Sequence, residues 1–122
     1  MLFPPKSLSA RELPPFELEA DKETINKYED CGLSRKALYV GAFGLPRRRY
    51  IPIGNIKRVY KRLAVSKGFF DEGKMYATIS YLVVIFDKDK EKVLRFTREE
   101  NLDALLKDIS THTKITVGKP NK

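Results

Sequence analysis

The stretch from Met75 to Phe96 most constrains what this chain can become. MYATISYLVVIF, residues 75–86, is rich in β-branched and aromatic side chains and reads as one long strand. Asp87-Lys-Asp-Lys-Glu91 is a polar turn, and Lys92-Val-Leu-Arg-Phe96 returns as its hairpin partner. Directly afterwards Thr97 and Glu100 have capping-box spacing. Leu102, Leu105, Leu106 and Ile109 then form an apolar stripe at i, i+3, i+4 and i+7, which predicts an amphipathic helix ending near Ser110 to Thr113. A hairpin followed by a helix that must bury one face implies an α+β domain, mainly β.

The N-terminal half carries weaker signals. Residues 1–15 hold Pro4, Pro5, Pro14 and Pro15 and read as an extended Pro-rich leader, with no long apolar core of a secretory signal. Asp21 to Tyr28 predicts a short helix capped by Asp21, with Ile25 and Tyr28 on one face. Ser34 to Gly41 reads as a strand, residues 41–49 as a Gly- and Pro-containing loop, and Tyr50 to Ile53 as a strand. Pro52 implies an edge or a bulge there. Asn55 to Leu63 is ambiguous: Ile56, Val59, Tyr60 and Leu63 have helical spacing, while the residue types favour a strand. Residues 16–113 are expected to form a single domain and 114–122 a C-terminal tail.

Charge is the second informative feature. The 122-residue chain has a formal net charge of +8, and from Cys31 to Phe70 there are ten basic residues and no Asp or Glu. Such a concentrated field favours an anionic partner, although a solvated face that keeps the protein soluble has the same composition. The candidate polyanion-binding residues are Lys36, Arg47, Arg48, Arg49, Lys57, Arg58, Lys61, Arg62 and Lys67. Phe43 and Leu45 precede three arginines in a loop, and Phe69 and Phe70 follow Lys67 beside glycine, so these four are candidate membrane contacts. For nucleic acid, Tyr39, Tyr50 and Tyr60 interleave with Arg49, Arg58 and Lys61 and supply candidate stacking surfaces.

Catalytic and metal sets are not indicated. His112 is expected at the surface after the last helix, Cys31 as a buried thiol in a reducing compartment, and these two alone lack the usual ligand count for a metal. Gly41 and Gly44 have neither the Lys-Ser/Thr nor the strand–loop–helix context of a nucleotide loop. The expectation is a non-enzymatic domain without a cofactor. The longest apolar run, Tyr81–Phe86, is far shorter than the ~20 residues that span a bilayer.

The order ALYVGAF, RYIPIGNIKRVYKR, SYLVVIFDKDKEKVLRF and REENLDALLKDI resembles the bacterial domains of the pleckstrin-homology-like superfamily. The resemblance spans residues 16–112. It implies a bent antiparallel β-barrel or sandwich of about seven strands closed by a C-terminal amphipathic helix. It also implies that residues 55–63 are a strand with a bulge near Gly54. The lipid-binding pattern of that superfamily would fall on Lys36 and Arg47-x-Arg49. The partners implied are another protein or an anionic lipid surface, in the cytoplasm or peripherally at the inner membrane surface.

Overall fold

The computed structural model describes residues 6–40, 49–70 and 73–119; for 65–70 and 73–77 only the backbone is considered. The chain is α+β and mainly β. Its strands are β1 (Lys6–Ser7), β2 (Asn26–Tyr28), β3 (Cys31–Leu33), β4 (Ala37–Val40), β5 (Arg49–Pro52), β6 (Ile56–Phe70), β7 (Gly73–Phe86), β8 (Lys90–Phe96) and β9 (Thr116–Val117). The helices are α1 (Pro15–Asp21) and α2 (Glu99–His112). The strands form two sheets, ordered β1-β5-β4-β3-β2 and β8-β7-β6-β9, and among the described residues these do not close into a barrel.

The hairpin and helix at the C-terminal end follow the sequence pattern. β7 pairs with β8 from Ser80↔Phe96 to Phe86↔Lys90 around the turn at Asp87. Leu102, Leu105 and Ile109 on α2 are fully buried in one cluster with Leu38, Ile51, Val59, Leu82, Val84 and Phe96, while Leu106 is half-buried at its margin. The helix therefore covers the seam between the sheets, as its stripe required.

The cap of that helix is a correction. Thr97 does not cap α2; Arg98 occupies the N-cap position and no side chain of the helix bonds there. The carboxylate of Glu29, from the β2–β3 turn, takes over. It accepts hydrogen bonds from Thr97 N (2.7 Å), Thr97 Oγ1 (2.8 Å), Arg98 N (3.0 Å) and Asn101 Nδ2 (2.9 Å). A carboxylate at the positive end of a helix is favoured by the dipole and by the unpaired N–H groups. Partial burial raises the Glu29 pKa, but these hydrogen bonds outweigh it and hold the carboxyl at about 2. Glu29→Gln should therefore cost about 1 kcal/mol near neutral pH, as caps generally do. The folded pKa lies below the unfolded one of about 4.3, so the contribution is complete above roughly pH 5 and fades as pH falls towards 2. Urea titrations of both proteins across this range check it; a pH-independent difference would remove Glu29 from the cap.

The N-terminal half also differs from expectation. The predicted helix from Asp21 to Tyr28 does not form. The helix lies earlier, with Pro15 in its first turn, where a missing N–H costs nothing, and Leu18 buried. Lys22–Thr24 is a single 3-10 turn, and Asn26–Tyr28 pairs antiparallel with β3. Asp21 is no N-cap. Its carboxylate, 4% exposed, accepts from the Ser34 and Tyr39 hydroxyls and from Lys36 N, and so staples the β3–β4 turn to α1.

These contacts explain why β4 is buried on both faces. Leu38 and Val40 face the main cluster. Ala37, Tyr39 and Tyr50 face a second one with Leu13 and Leu18, so residues 6–13 and α1 form a covering layer. Residues 6–13 are laid down in this layer: β1 runs parallel to β5, and Leu13 N donates to Tyr50 Oη at 2.9 Å. Asp87 ties down the same segment by accepting from Ser9 Oγ and Ala10 N, and these bonds hold its pKa at about 2. At the other terminus Ile115 is buried and β9 pairs parallel with β6. Pro52 is tolerated because β1 pairs only with Arg49 and Tyr50, leaving that side of Pro52 without a strand neighbour among the described residues.

Residues 56–63 are a strand, against their helical spacing. Ile53–Asn55 forms a 3-10 turn, and the register against β7 shifts between Ile56 and Arg58, two residues beyond Gly54. β6 and β7 then continue as a long ribbon to the pair Phe70↔Gly73. β8 stops opposite Ser80, so among the described residues the outer part of this ribbon has no further strand beside it.

Candidate functional site

Strand alternation divides the basic run that the sequence presents as one block. On β6, Val59 and Lys61 face α2, while Arg58, Tyr60 and Arg62 face away from it. Lys61 Nζ lies 2.6 Å from Glu99 Oε2 and 2.8 Å from Asp103 Oδ1, both on the first turns of α2. These hydrogen bonds, to Asp103 first, raise its pKa, and its charge is already matched within the fold. Lys57 donates to the Lys88 carbonyl, and Arg58 Nη1 donates to the Gly118 and Lys119 carbonyls at 2.7 and 3.2 Å. Arg58 is thereby committed to holding the chain after β9, though no carboxylate neutralises it among the described residues.

Lys36 and Arg49 are not brought together. Ala37 pairs with Pro52 and Val40 with Arg49, so Lys36 and Arg49 sit at opposite ends of the β4–β5 ladder. Lys36 pairs instead with Glu17 of α1 at 3.4 Å. Arg47, Arg48, Phe43 and Leu45 lie outside the described residues, and the side chains of Lys67, Phe69 and Phe70 are likewise not described. Two of the three tyrosines assigned to stacking are core residues. Tyr39 and Tyr50 are 2% and 1% exposed, pack with ring centroids 6.1 Å apart, and spend their hydroxyls on Asp21 and Leu13.

What alternation does assemble is the face of the second sheet turned away from α2. Across β6, β7 and β8 the register sets Arg62 beside Tyr81 and Arg95, then Tyr60 beside Val83 and Val93, then Arg58 beside Ile85 and Glu91. Arg62 and Arg95 are exposed and have no acidic partner among the described residues. The Arg62 guanidinium lies over the Tyr81 ring, 5.3 Å from its centroid. Tyr81 and Arg95 were missed as candidates because Tyr81 opens the apolar run to Phe86 and Arg95 lies in a mixed-charge stretch; only the pairing register aligns them with Arg62.

The edge of the same sheet is the second feature. β9 touches β6 only at Arg58 and Val59. From Tyr60 onwards this edge of β6 has no strand neighbour among the described residues. Leu63, 49% exposed, and Val117, 38% exposed, both lie along it.

Elsewhere, His112 is exposed and its Nδ1 lies 2.6 Å from Asp108 Oδ1. Asp108 also accepts from the Tyr28 hydroxyl at 2.7 Å. Burial and this bond push Tyr28 up to about 12. The pair borders a shallow groove of about 510 Å³ with Thr24, Ser34 and Arg35, where Ser34 is already bonded to Asp21. Cys31 is 1% exposed, and burial pushes its thiol up to about 12, the state of an unreactive core residue. Among the described residues no three His, Cys, Asp or Glu side chains come together as metal ligands, and no helix is long and apolar enough to cross a membrane.

In comparison with known proteins, no family model matches the chain, and neither a curated protein nor a solved structure matches it significantly.

Proposed function

We propose that this chain is a non-enzymatic, cytoplasmic binding domain of pleckstrin-homology-like plan, whose partner is another protein taken up as an extended strand along β6. Support for the plan comes from element order: β2–β5 and β6–β8 are two consecutive antiparallel meanders, and α2 follows and covers the seam between them. In this reading β1, α1 and β9 are additions to that plan.

The free edge of β6 beyond Val59 carries the functional part. A strand edge presents a row of unpaired N–H and C=O groups that another chain satisfies by pairing. Leu63 and Val117, exposed beside this edge, offer apolar contact to such a strand. Lys57, Arg58 and Arg62 of β6, whose charges no acidic side chain matches among the described residues, also act as a filter. Edge lysines and arginines repel a second copy of the same edge, which restrains aggregation, and they admit a strand of opposite charge. The expected occupant alternates apolar and acidic residues.

Fluorescence anisotropy of the full chain with a labelled peptide alternating glutamate and valine, at physiological salt, tests this. Saturable binding is expected. Peptides N-methylated at alternate residues keep charge and side chains but lose the donors of one edge. In one of the two registers binding should fall about tenfold or more, since several backbone bonds are lost. Equal binding of both methylated peptides would reject strand addition. Binding only to anionic vesicles, with Phe43 and Arg47/Arg49 required, would favour the membrane surface instead.

A further inference from the structure

We propose that the face of the second sheet turned away from α2 binds single-stranded nucleic acid, with Tyr60 and Tyr81 receiving base faces and Arg62 and Arg95 receiving phosphates. This goes beyond the protein-binding edge and rests on a different surface. The pairs Tyr60↔Val83 and Arg62↔Tyr81 make the two tyrosines diagonal neighbours on one face, a distance of roughly 7 Å between positions so related. Both rings are half-buried, while Val83 between them is wholly covered although it belongs to neither buried cluster. The rings are thus seated in the sheet surface and do not project from it. The Arg62 guanidinium over Tyr81 extends that planar surface with charge.

The chemistry selects among anionic partners. Among the described residues Arg62 and Arg95 stand on this face without an acidic partner, against one acid, Glu91, at its corner, while Arg58 holds the chain after β9. Bases stack on aromatic rings and on guanidinium planes irrespective of sequence, and their phosphates reach the flanking arginines. A duplex hides its base faces, and this sheet offers no helix to a groove. A membrane site needs apolar side chains projecting into the headgroup layer, which half-buried tyrosines do not provide.

The probe is a fluorescein-labelled oligouridylate at physiological salt, compared with a duplex of equal length, dextran sulfate and anionic vesicles. The oligouridylate is expected to bind best. Tyr60→Leu/Tyr81→Leu keeps apolar cover over Val83 and should weaken oligouridylate binding about tenfold or more, while dextran sulfate binding stays unchanged. Phe at both positions should restore it. Arg62→Gln/Arg95→Gln should weaken both polyanions and flatten the salt dependence of oligouridylate binding by about 1.4 in log–log slope. If the leucine pair does not fold, amide shift perturbations in the parent protein decide, and they must fall on β6, β7 and β8. Absence of oligouridylate binding, binding indifferent to the tyrosines, or preference for vesicles would each overturn the proposal.

Discussion

Leu105→Ala is expected to lower the free energy of unfolding by about 2–5 kcal/mol. Leu105 is fully buried at the middle of α2, and its cluster includes residues of both sheets. Removing its branched end deletes apolar burial and leaves a cavity among β-strand neighbours that are held by their ladders and cannot collapse inward. The loss should therefore lie well above that of Leu106→Ala, whose side chain is only half-buried at the cluster margin. Urea denaturation of the two variants supplies the comparison. Equal and small losses would mean that α2 is a surface attachment and not the third layer of the core.

The second large effect is expected from Asp21→Ala, about 3 kcal/mol of stability. The carboxylate is buried, and no other described residue links α1 to both the β3–β4 turn and the Tyr39 hydroxyl. Without it the Tyr39 hydroxyl, 2% exposed as a residue, loses its carboxylate acceptor in the second cluster and keeps only the Ser34 hydroxyl beside it. Ser34 fares better, because its Oγ also reaches the Ala37 carbonyl at 2.9 Å. Burial and the neighbouring Asp21 charge raise the Tyr39 pKa, so the phenol stays protonated and remains a donor. Tyr39→Phe removes the stranded group and should recover part of the loss in the double variant. A strictly additive cycle would show that the damage runs through the turn alone.

The proposed edge and face belong to the same long strand and are separable by experiment. N-methylated peptides report on the backbone of β6, whereas the tyrosine pair reports on side chains of β6 and β7. Failure of either leaves the other standing. The pleckstrin-homology-like plan is a third, independent proposal, since neither surface depends on the family that built it.

Local chemistry settled the elements whose pattern had one reading. The β-rich run through Phe86, the polar turn after it and the leucine stripe of α2 need no information from distant residues, because burial of their own apolar face dictates their period. The same holds for Cys31, a small apolar group beside a turn that found the interior. Local pattern misled wherever the deciding partner is remote. Ile56, Val59, Tyr60 and Leu63 have helical spacing, yet β7 pairs with this segment and sends Val59 to the core and Tyr60 to the opposite face. Thr97 and Glu100 have capping spacing, yet Glu29 reaches the helix first from 68 residues away. Asp21 has the chemistry of a cap and serves as a buried acceptor. The basic block suffers the same fate: alternation gives Lys61 to the acids of α2 and Arg62 to Tyr81, so charge adjacent along the chain is separated by a sheet. A sequence states which groups must be buried or paired; tertiary contact chooses the partner, because hydrogen bonds and ion pairs depend on distance in space and not along the chain.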